Sequence, residues 1–560
     1  MRISSRRQFL RGASVIAAST VVSARMAEKA QALALPDSQP QKASSAKLRG
    51  LMVDAARVPE RPEYYRRVIE FCADWELNAL HFRVADDQGS ALRFASVPDL
   101  VIHKNALTPA KMRGLAEYGR SHGVDLIPEV ESFGHTGFIT RSPAYAHLLD
   151  SDPHGNSEFT GMIPVHPETL PLFEKLYGEI AEIFPAAYLH GGCDEVNWGG
   201  SALSRKALET KTRAQIWAQY LNSLAQLAEA QGKQFIVWGD FVLHKEPEIL
   251  GRLDKKIVIM DWNYRETSAV PLGDALAKVR ANGSRGIGAP ALINYQWGPR
   301  AGSEQLRNVD AFADAYFAPD ATNSLGVILT NWVPSRYIQD SIWDGFAYGA
   351  VAFKEGTATA RASALRRFVE RHYGAEWDET WSEVIRAIYD TAPSVSALKS
   401  SPARPRLRVP WSSDEELSAA AKSASPPNPF TRLRSLLAPL EPSVHKNLSD
   451  FQTFALCVEC LESTFWREAV VAQATANLQQ RDAGALIESI AVRDRDLSER
   501  LSRDWDVGRP SDSAAKLGPL FGMQPKDQLV FEWARASAYS SSLARDPQRF
   551  FRILEANKPA

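Results

Sequence analysis

The sequence predicts an α/β fold, a (β/α)8 TIM barrel followed by a mostly helical C-terminal region, and two observations carry this prediction. Eight short apolar runs alternate with helical patterns within residues 48–358. Such strands, separated by helices, indicate a parallel sheet covered by helices, and eight units are typical of a closed barrel. Beyond residue 358 the strand pattern stops and helical patterns continue. A doubly wound open sheet is the alternative arrangement.

The eight predicted strands can be read in chain order. They begin at residues 50, 79, 125, 187, 235, 256, 291 and 327, as GLMVDAA, ALHFRV, DLIPEV, AYLHGG, FIVWGD, KIVIMDW, ALINYQ and VILTNW. Apolar residues at helical spacing fill segments between them, including 63–75, 109–122, 170–183 and 213–231. Most strands end in acidic or aromatic residues. Because the carboxyl ends of barrel strands form one mouth, we expect these side chains to face one pocket.

The N-terminus predicts an export signal. Arg6 and Arg7 precede an apolar stretch too short to cross a bilayer, and paired arginines are typical of the twin-arginine (Tat) route. Tat export predicts a periplasmic or extracellular protein. We therefore expect a Tat signal peptide over residues 1–32, a linker over 33–47, the barrel over 48–358, and the helical region over 359–560 with a Pro/Ser-rich linker near 400–429.

Composition excludes several classes of function. The formal net charge is −1, so no overall field favours nucleic acid, and no later segment predicts a membrane span. Four cysteines in 560 residues do not make a disulfide scaffold. The pair Cys457 and Cys460 falls on one face of a helical pattern, which favours two buried apolar side chains over a redox or metal site. No cofactor is expected, and the oligomeric state stays open.

The segment YLHGGCDEVNWGG places an adjacent Asp194 and Glu195 at the end of the fourth predicted strand. Adjacent residues of a strand point to opposite sides, so at a strand end the two acids can take different tasks. A glycosidase needs an acid that protonates the leaving oxygen, and where the substrate's own 2-acetamido group attacks, the second carboxylate only orients that group. An adjacent Asp-Glu pair meets this demand.

Several motifs resemble one known family. HGGCDEV resembles the H-x-G-x-D-E signature of glycoside hydrolase family 20, the β-N-acetylhexosaminidases. RGLMVDAAR, NALHFRVADDQG, LIPEVESFGHTGF, FIVWGD and VILTNW are similar to its other strand motifs, in the same order, over residues 48–355. The Cys before Asp-Glu and the SFGH form look closer to the hexosaminidase D-like branch.

The resemblance implies an exported retaining exo-β-N-acetylhexosaminidase that acts on terminal β-linked GlcNAc or GalNAc of a glycan through an oxazolinium intermediate. It implies that Glu195 is the general acid/base and that Asp194 orients the acetamido group. Arg49 would bind the sugar hydroxyls and Tyr295 the acetamido oxygen. The further substrate-binding residues that we predict are His135, His190, Trp238, Asp240, Trp262 and Trp332.

Two other functions remain open on the sequence. A sugar-binding barrel could keep the motif with weak catalysis, and a metal-dependent barrel hydrolase could use His190, Asp194 and Glu195 as ligands. The residues also depart from the family pattern in places: Glu131 stands where an aspartate is common, Arg83 replaces a histidine, and NWVPSRY lacks the usual acid after Trp. No bound metal is expected under the preferred interpretation.

Overall fold

The computed structural model describes residues 46–150, 161–293, 302–391, 410–422, 428, 430–477, 479–509 and 529–558. Within these residues eight parallel strands close into a barrel. They are β1 (Leu48–Val53), β2 (Ala79–Asp86), β3 (Asp125–Val130), β4 (Tyr188–His190), β5 (Gln234–Trp238), β6 (Val258–Asp261), β7 (Arg285–Gly288) and β8 (Ser324–Asn331). Because β1 pairs with both β2 and β8, the sheet has no free edge there, and the predicted fold class is confirmed.

The seventh strand differs from its prediction. We expected it to begin at Ala291, but β7 lies at Arg285–Gly288 and pairs with β6 and β8. Its sequence, RGIG, has two glycines and one large apolar residue, so its strand propensity is low. The described part of the predicted run, Ala291–Ile293, forms a short extension that pairs with β8. Pairing with neighbours, rather than local propensity, places this strand.

Helices cover the outside of the barrel. They are α1 (Pro62–Asp74), α2 (Pro109–Ser121), α3 (Thr169–Ile183), α4 (Arg213–Ala230), α5 (Ala269–Ala281), α6 (Ser303–Tyr316) and α7 (Trp343–Glu355). Local signals start several of them: Thr108 caps α2, and Thr212 with Gln215 forms a capping box on α4. Between β5 and β6 a π-helix (Asp240–Lys245) and a 3-10 helix (Pro247–Arg252) replace the α-helix.

Shorter elements lie in the loops. They are the strands Gly89–Leu92, Ile102–Leu107, Leu149–Asp150 and Gly161–Met162, the helices Gly137–Thr140 and Ala202–Leu208, and the 3-10 turns Ala146–Leu148, Pro334–Arg336 and Gln339–Ser341.

Strand residues alternate between two cores. Leu80 and Phe82 of β2 point outward into the layer between strands and helices. Ile127 and Met260 point inward with the other side chains that fill the barrel. Near the carboxyl ends the inward positions become polar, at Glu129 and in the histidines of β2 and β4, all fully buried. The mouth therefore stands on a polar floor.

The C-terminal region is helical where it is described. Alternating α and π turns run from Thr357–Thr359 to Val369–Tyr373, followed by α8 (Glu379–Thr391), α9 (Asp414–Lys422), α10 (Phe430–Leu440), the 3-10 turn Glu441–Ser443, α11 (Leu448–Asn477), α12 (Gln480–Gly508), α13 (Leu529–Arg545) and α14 (Pro547–Glu555). Cys457 and Cys460 on α11 are both buried, as predicted. Among the described helices, none combines the length and apolar character that a membrane span requires.

The predicted linker near 400–429 contains a helix, α9, which corrects that part of the prediction. Asp414, Glu415 and Glu416 occupy its first turn, where carboxylates favour a helix N-terminus, and its inner face is buried. The Pro and Ser residues on both sides of this short amphipathic segment led to the prediction of a linker. The predicted signal peptide (1–32) and most of the first linker (33–47) lie outside the described residues.

Candidate active site

Asp194 and Glu195 lie in the loop after β4, at the carboxyl ends of the strands. The backbone there is strained, because Cys193 has φ 75° and Glu195 has φ 47°, values that non-glycine residues rarely adopt. Such strain costs about 1–3 kcal/mol per residue and clusters at active sites. The Asp194 side chain is buried, whereas 35% of the Glu195 side chain is exposed. The two carboxylates therefore differ in their exposure to solvent.

Glu131, just after β3, anchors the acid loop, which comprises residues 191–200 and carries Asp194 and Glu195. Its Oε2 accepts a hydrogen bond from the backbone N–H of Cys193 at 3.0 Å. Only glycine fits at position 192, which has φ 64° and where a Cβ would lie 1.9 Å from this oxygen. Arg83 of β2 forms an ion pair with the other carboxylate oxygen of Glu131. The two residues that depart from the family pattern thus make a buried pair that supports the acid loop.

Arg83 is also the centre of a buried charge network. Its guanidinium contacts three further carboxylates, those of Asp54, Asp86 and Glu129. Because a buried guanidinium needs several acceptors to offset its lost hydration, this network fixes the ends of β1, β2 and β3 relative to one another.

His135 connects the acid pair to the end of β2. Its Nδ1 lies 3.0 Å from Oδ2 of Asp87, and its Nε2 lies 3.3 Å from Oε2 of Glu195 and 3.9 Å from Oδ2 of Asp194. The Asp87 carboxylate can only accept when ionised, so it holds Nδ1 as a donor and aims Nε2 at the acid pair. Asp87 is itself fixed by the backbone N–H of Gly137 at 2.9 Å.

The charges of this cluster are strongly coupled. Burial acts to lower the pKa of His135, but the charges of Asp194 and Asp86 and the bonds to Asp87 and Glu195 hold that pKa well above its ordinary value. Burial raises the pKa of Asp194 to about 7. Burial also disfavours ionisation of Glu195, but the hydrogen bond and charge of His135 outweigh it and lower the pKa. A protonated imidazole thus faces an ionised Glu195.

Asp240 supports the acid loop from β5. Its Oδ2 accepts hydrogen bonds from the backbone N–H of Glu195 at 3.3 Å and from Lys245 Nζ at 2.9 Å. Burial raises the pKa of Asp240, although Lys245 opposes the shift. The Asp240 side chain is buried, and its hydrogen bond to the N–H of Glu195 fixes the backbone there.

Aromatic side chains form the opposite wall. Trp332 follows β8, and its Nε1 donates to the hydroxyl of Tyr264 at 2.7 Å. Trp262 follows β6 and stacks on Tyr264, with ring centroids 5.1 Å apart and an interplanar angle of 22°. These three rings make one continuous apolar face, of the kind that sugar rings pack against.

Trp238 and His190 lie on the floor below this wall. Trp238 Nε1 donates to Oε1 of Glu129 at 2.8 Å, and its ring centroid is 4.5 Å from that of His190 and 5.6 Å from that of Trp332. His190 Nδ1 accepts from the backbone N–H of Gly192 at 2.9 Å. Burial lowers the pKa of His190 to about 3, so the ring is neutral. Both residues support the mouth from inside the barrel.

The predicted role of Arg49 is wrong. Arg49 is the second residue of β1, at the amino end of the strand, and its guanidinium lies 3.4 Å from the carbonyl oxygen of Glu76, at the end of the barrel opposite the acid pair. Arg57, in the loop after β1, lies at the mouth instead. It pairs with Asp54 at 3.0 Å and Asp86 at 3.2 Å and sits 5.3 Å above the Trp332 ring. Strand direction alone distinguishes the two arginines.

Two tyrosines complete the comparison with the predictions. Tyr295 falls outside the described residues, so its predicted contact with the acetamido oxygen stays a prediction. Tyr264 was missed, although it lies two residues after Trp262 at a strand end, which is the signal that identified the other mouth residues. Burial raises the pKa of Tyr264 well above its ordinary value, and the charges of Asp194 and Glu195 add to that shift.

The metal hypothesis named a ligand set that the structure does not bring together. His190 groups with His81 and Glu129 inside the barrel, whereas the histidine beside Asp194 and Glu195 is His135. His135, Asp194 and Glu195 each offer one ligand atom within 4.8 Å of the others, so the candidate metal group at the mouth contains His135 in place of the predicted His190. An imidazole within reach of two carboxylates is also the arrangement that proton transfer requires.

Part of the chain matches one family of known proteins. Residues 47–306 match the family model described as "Glycosyl hydrolase family 20, catalytic domain". The beta-hexosaminidase subunit beta of Entamoeba histolytica is 25% identical over 239 residues, which cover 38% of this chain and 40% of that protein. The beta-hexosaminidase subunit alpha of Bos taurus is 23% identical over 355 residues, covering 58% of this chain and 65% of that protein.

A bacterial relative gives a shorter match. The beta-hexosaminidase of Akkermansia muciniphila is 28% identical over 189 residues, covering 30% of this chain and 38% of that protein. Across these three relatives the chain spans between 38% and 65% of their length.

Proposed function

Because the chain belongs to glycosyl hydrolase family 20 through residues 47–306, we propose that it is a retaining exo-β-N-acetylhexosaminidase that removes terminal β-linked GlcNAc or GalNAc from a glycan. One observation carries the proposal: His135 joins Asp87 to Glu195 at 3.0 and 3.3 Å, with Asp194 in the same cluster. This arrangement supplies a proton donor and a separate orienting carboxylate at one mouth.

In the first step the acetamido carbonyl oxygen of the substrate attacks C1 while the C1–O bond to the leaving group breaks. Glu195 gives its proton to the departing oxygen. Substrate binding removes water from the exposed part of Glu195, which raises its pKa, and the proton that His135 holds 3.3 Å away can then pass to the carboxylate. The product of this step is an oxazolinium ion.

Asp194 serves the same step from the other side of the sugar. Its carboxylate accepts the acetamido N–H, turns the carbonyl oxygen toward C1, and stabilises the positive charge that develops on the ring. Because burial raises the pKa of Asp194 to about 7, the carboxylate is ionised and able to accept this hydrogen bond above that pH. In the second step water attacks C1 and the C1–O bond of the oxazolinium ring breaks, which releases the sugar with the β configuration and reforms its acetamido group. The proton of the attacking water passes to the Glu195 carboxylate and from there back to His135, which restores the free enzyme.

The sugar hydroxyls are assigned to Arg57. Its guanidinium is held by Asp54 and Asp86 and covers Trp332, so its remaining N–H groups are fixed in direction at the mouth. A guanidinium binds two neighbouring hydroxyls with directional bonds, which an ammonium cannot reproduce.

Arg57→Lys is expected to raise KM for an aryl N-acetyl-β-glucosaminide by about 10-fold, since the planar fork is lost while the charge is kept. Arg49→Lys, the same substitution at the other end of β1, is the control and is expected to leave KM unchanged. Steady-state kinetics on both variants, with thermal unfolding to check the fold, measure the difference. Equal KM values for the two variants would remove Arg57 from the sugar site.

The decisive test is a panel of aryl glycosides that differ only at C2 and C4. N-acetyl-β-glucosaminides or galactosaminides should be hydrolysed with β-anomer as the first product by NMR. The matching β-glucoside should react at least about 10³-fold more slowly, because it lacks the internal nucleophile whose effective concentration is large. A thiazoline mimic of the oxazoline should inhibit strongly.

The outcomes of this panel separate the candidate functions. Equal turnover of plain glucosides would contradict the substrate-assisted mechanism. Binding of N-acetylglucosamine without turnover of any member would indicate a sugar-binding barrel instead.

Export is part of the proposal. The support is the sequence Arg6-Arg7 ahead of a short apolar segment, which is typical of Tat signals. A protein carried folded through this route would act in the periplasm or outside the cell, on glycans found there.

A further inference from the structure

Arg509 links the helical C-terminal region to the barrel mouth. It follows α12 directly, is 1% exposed, and its guanidinium lies 3.6 Å from the Trp505 ring centroid. Its Nε lies 3.1 and 3.2 Å from the two carboxylate oxygens of Glu60. Its Nη2 donates to the carbonyl oxygen of Pro334 at 2.7 Å and also lies 3.4 Å from the carbonyl oxygen of Tyr337.

These partners belong to two different mouth loops. Glu60 lies in the loop between β1 and α1, and Pro334 and Tyr337 lie in the loop between β8 and α7. The first loop carries Arg57 and the second begins with Trp332. A single buried guanidinium therefore contacts both loops that hold the sugar-binding side of the mouth.

The β8–α7 loop needs external support. Val333 has φ 57°, which is a genuine outlier for a β-branched residue and persists only where surrounding contacts impose it. Its backbone N–H donates to Oδ2 of Asp54 at 3.1 Å, the same oxygen that Arg57 contacts at 3.0 Å. Any shift of Val333 is thus passed to Arg57 through Asp54.

The backbone around Arg509 adds to the link. The carbonyl oxygen of Gly508 accepts from the backbone N–H of Arg61 at 2.8 Å, and Gln339 of the second loop donates to Glu60. Glu60 is buried, and burial raises its pKa to about 7 against the opposing charge of Arg509. Loss of Arg509 would leave a buried carboxyl and two loop carbonyls without their cationic partner.

We propose that Arg509 is a positioning residue for glycan binding: by holding both mouth loops, it sets Arg57 at 5.3 Å above Trp332. The kinetic part of this inference rests on the proposed function, since the sugar-binding role of Arg57 belongs to it. A residue that only supports the barrel would affect stability, whereas Arg509 is expected to affect KM.

The test compares Arg509→Met with Arg371→Met. Arg371, in the turn Val369–Tyr373 of the helical region, also contacts the barrel, through the carbonyl oxygen of Asp74 at 2.7 Å and the Trp75 ring at 4.6 Å, but these partners precede the amino end of β2 and lie outside both mouth loops. Arg509→Met is expected to raise KM about 10-fold with little change in kcat, and Arg371→Met to leave KM unchanged.

A double variant tests whether Arg509 acts through Arg57. If it does, Arg509→Met adds no more than about 2-fold to the KM of Arg57→Lys, because coupled residues are not additive. Multiplied effects, or equal KM changes for the Arg509 and Arg371 variants, would overturn the inference while the proposed function stands.

Hydrogen exchange provides a readout that needs no activity. Peptides covering residues 54–61 and 332–340 should exchange faster in Arg509→Met than in the wild type, whereas the acid loop at 191–200 should not change. Unchanged exchange in both mouth loops would contradict the inference whether or not the protein hydrolyses any glycoside. Failure of the wild type to act on N-acetylhexosaminides would contradict the proposed function alone.

Discussion

Glu195→Gln is expected to lower kcat for an N-acetyl-β-glucosaminide with a poor leaving group by about 10²–10⁴-fold, the usual contribution of a general acid. Glutamine has nearly the same shape, and its carbonyl oxygen can still accept from Nε2 of His135, so the cluster stays assembled. It has no proton to give to the departing oxygen. The loss is therefore one of chemistry and should appear in kcat more than in KM.

The leaving group makes this prediction specific. A dinitrophenyl group departs without help, so Glu195→Gln should hydrolyse that substrate far better than one with an alkyl aglycone. Rates across a series of leaving groups should depend steeply on their acidity in the variant and weakly in the wild type. The same dependence in both proteins would show that Glu195 is not the acid.

Glu168→Gln is the matched control. Glu168 also contacts a histidine, His147, at 3.0 Å, but this pair is exposed and lies apart from the acid loop. Exposed pairs contribute about 0–1 kcal/mol to stability, so the variant should keep wild-type stability and kcat. A large loss in Glu168→Gln would mean that the assay reports surface charge rather than proton donation.

Much of the barrel and the acid pair could be predicted from the sequence because local patterns encode them. Buried parallel strands require continuous apolar runs, and their ends meet at one mouth, so position predicts that Asp194, Glu195 and Trp332 lie there, whereas the resemblance to the family implied their roles. Arg57 was available to the same reasoning, since it follows β1, whereas Arg49 precedes most of that strand. The error came from choosing an arginine by motif instead of by strand direction.

Other features depend on contacts between distant residues. The glycine-rich β7 takes its place from β6 and β8, which no local window contains. In the sequence, Arg83 and Glu131 appear as departures from the family pattern, but in the fold they form an ion pair between β2 and the end of β3. Arg509 stands 449 residues from Glu60, and a single arginine after a helix carries no signal of what it touches.

Asp194→Asn is expected to lower kcat/KM by about 10²–10³-fold, comparable to the loss of one charge-stabilising group in other active sites. Asparagine can turn an amide N–H toward the acetamido N–H, and it cannot balance the charge of the oxazolinium ion. In the wild type, kcat/KM should also fall below about pH 7, where the buried carboxyl takes up a proton. The variant should lack this limb of the pH profile.

The same substitution should stabilise the fold at alkaline pH. The pKa of Asp194 is about 7 in the folded chain against an ordinary 3.8, so the folded state binds the proton more tightly and stability falls as pH rises from about 4 to 7. Above pH 7, ionisation of buried Asp194 lowers the free energy of unfolding by about 4 kcal/mol. Because His135 loses a counter-charge in the variant, a gain of about 2 kcal/mol at pH 8 is expected, vanishing below pH 4.

Asp125→Asn separates the two effects of Asp194→Asn. Asp125 begins β3, at the opposite end of the barrel, and burial raises its pKa as well. Denaturant unfolding at pH 4 and pH 8 should therefore show a pH-dependent gain in both variants, whereas kcat/KM should fall only in Asp194→Asn. If Asp194→Asn were active but no more stable at pH 8, the carboxyl would be neither the orienting group nor strained by burial. Stability gained together with activity lost is the result that ties the cost of burying Asp194 to its task at the mouth.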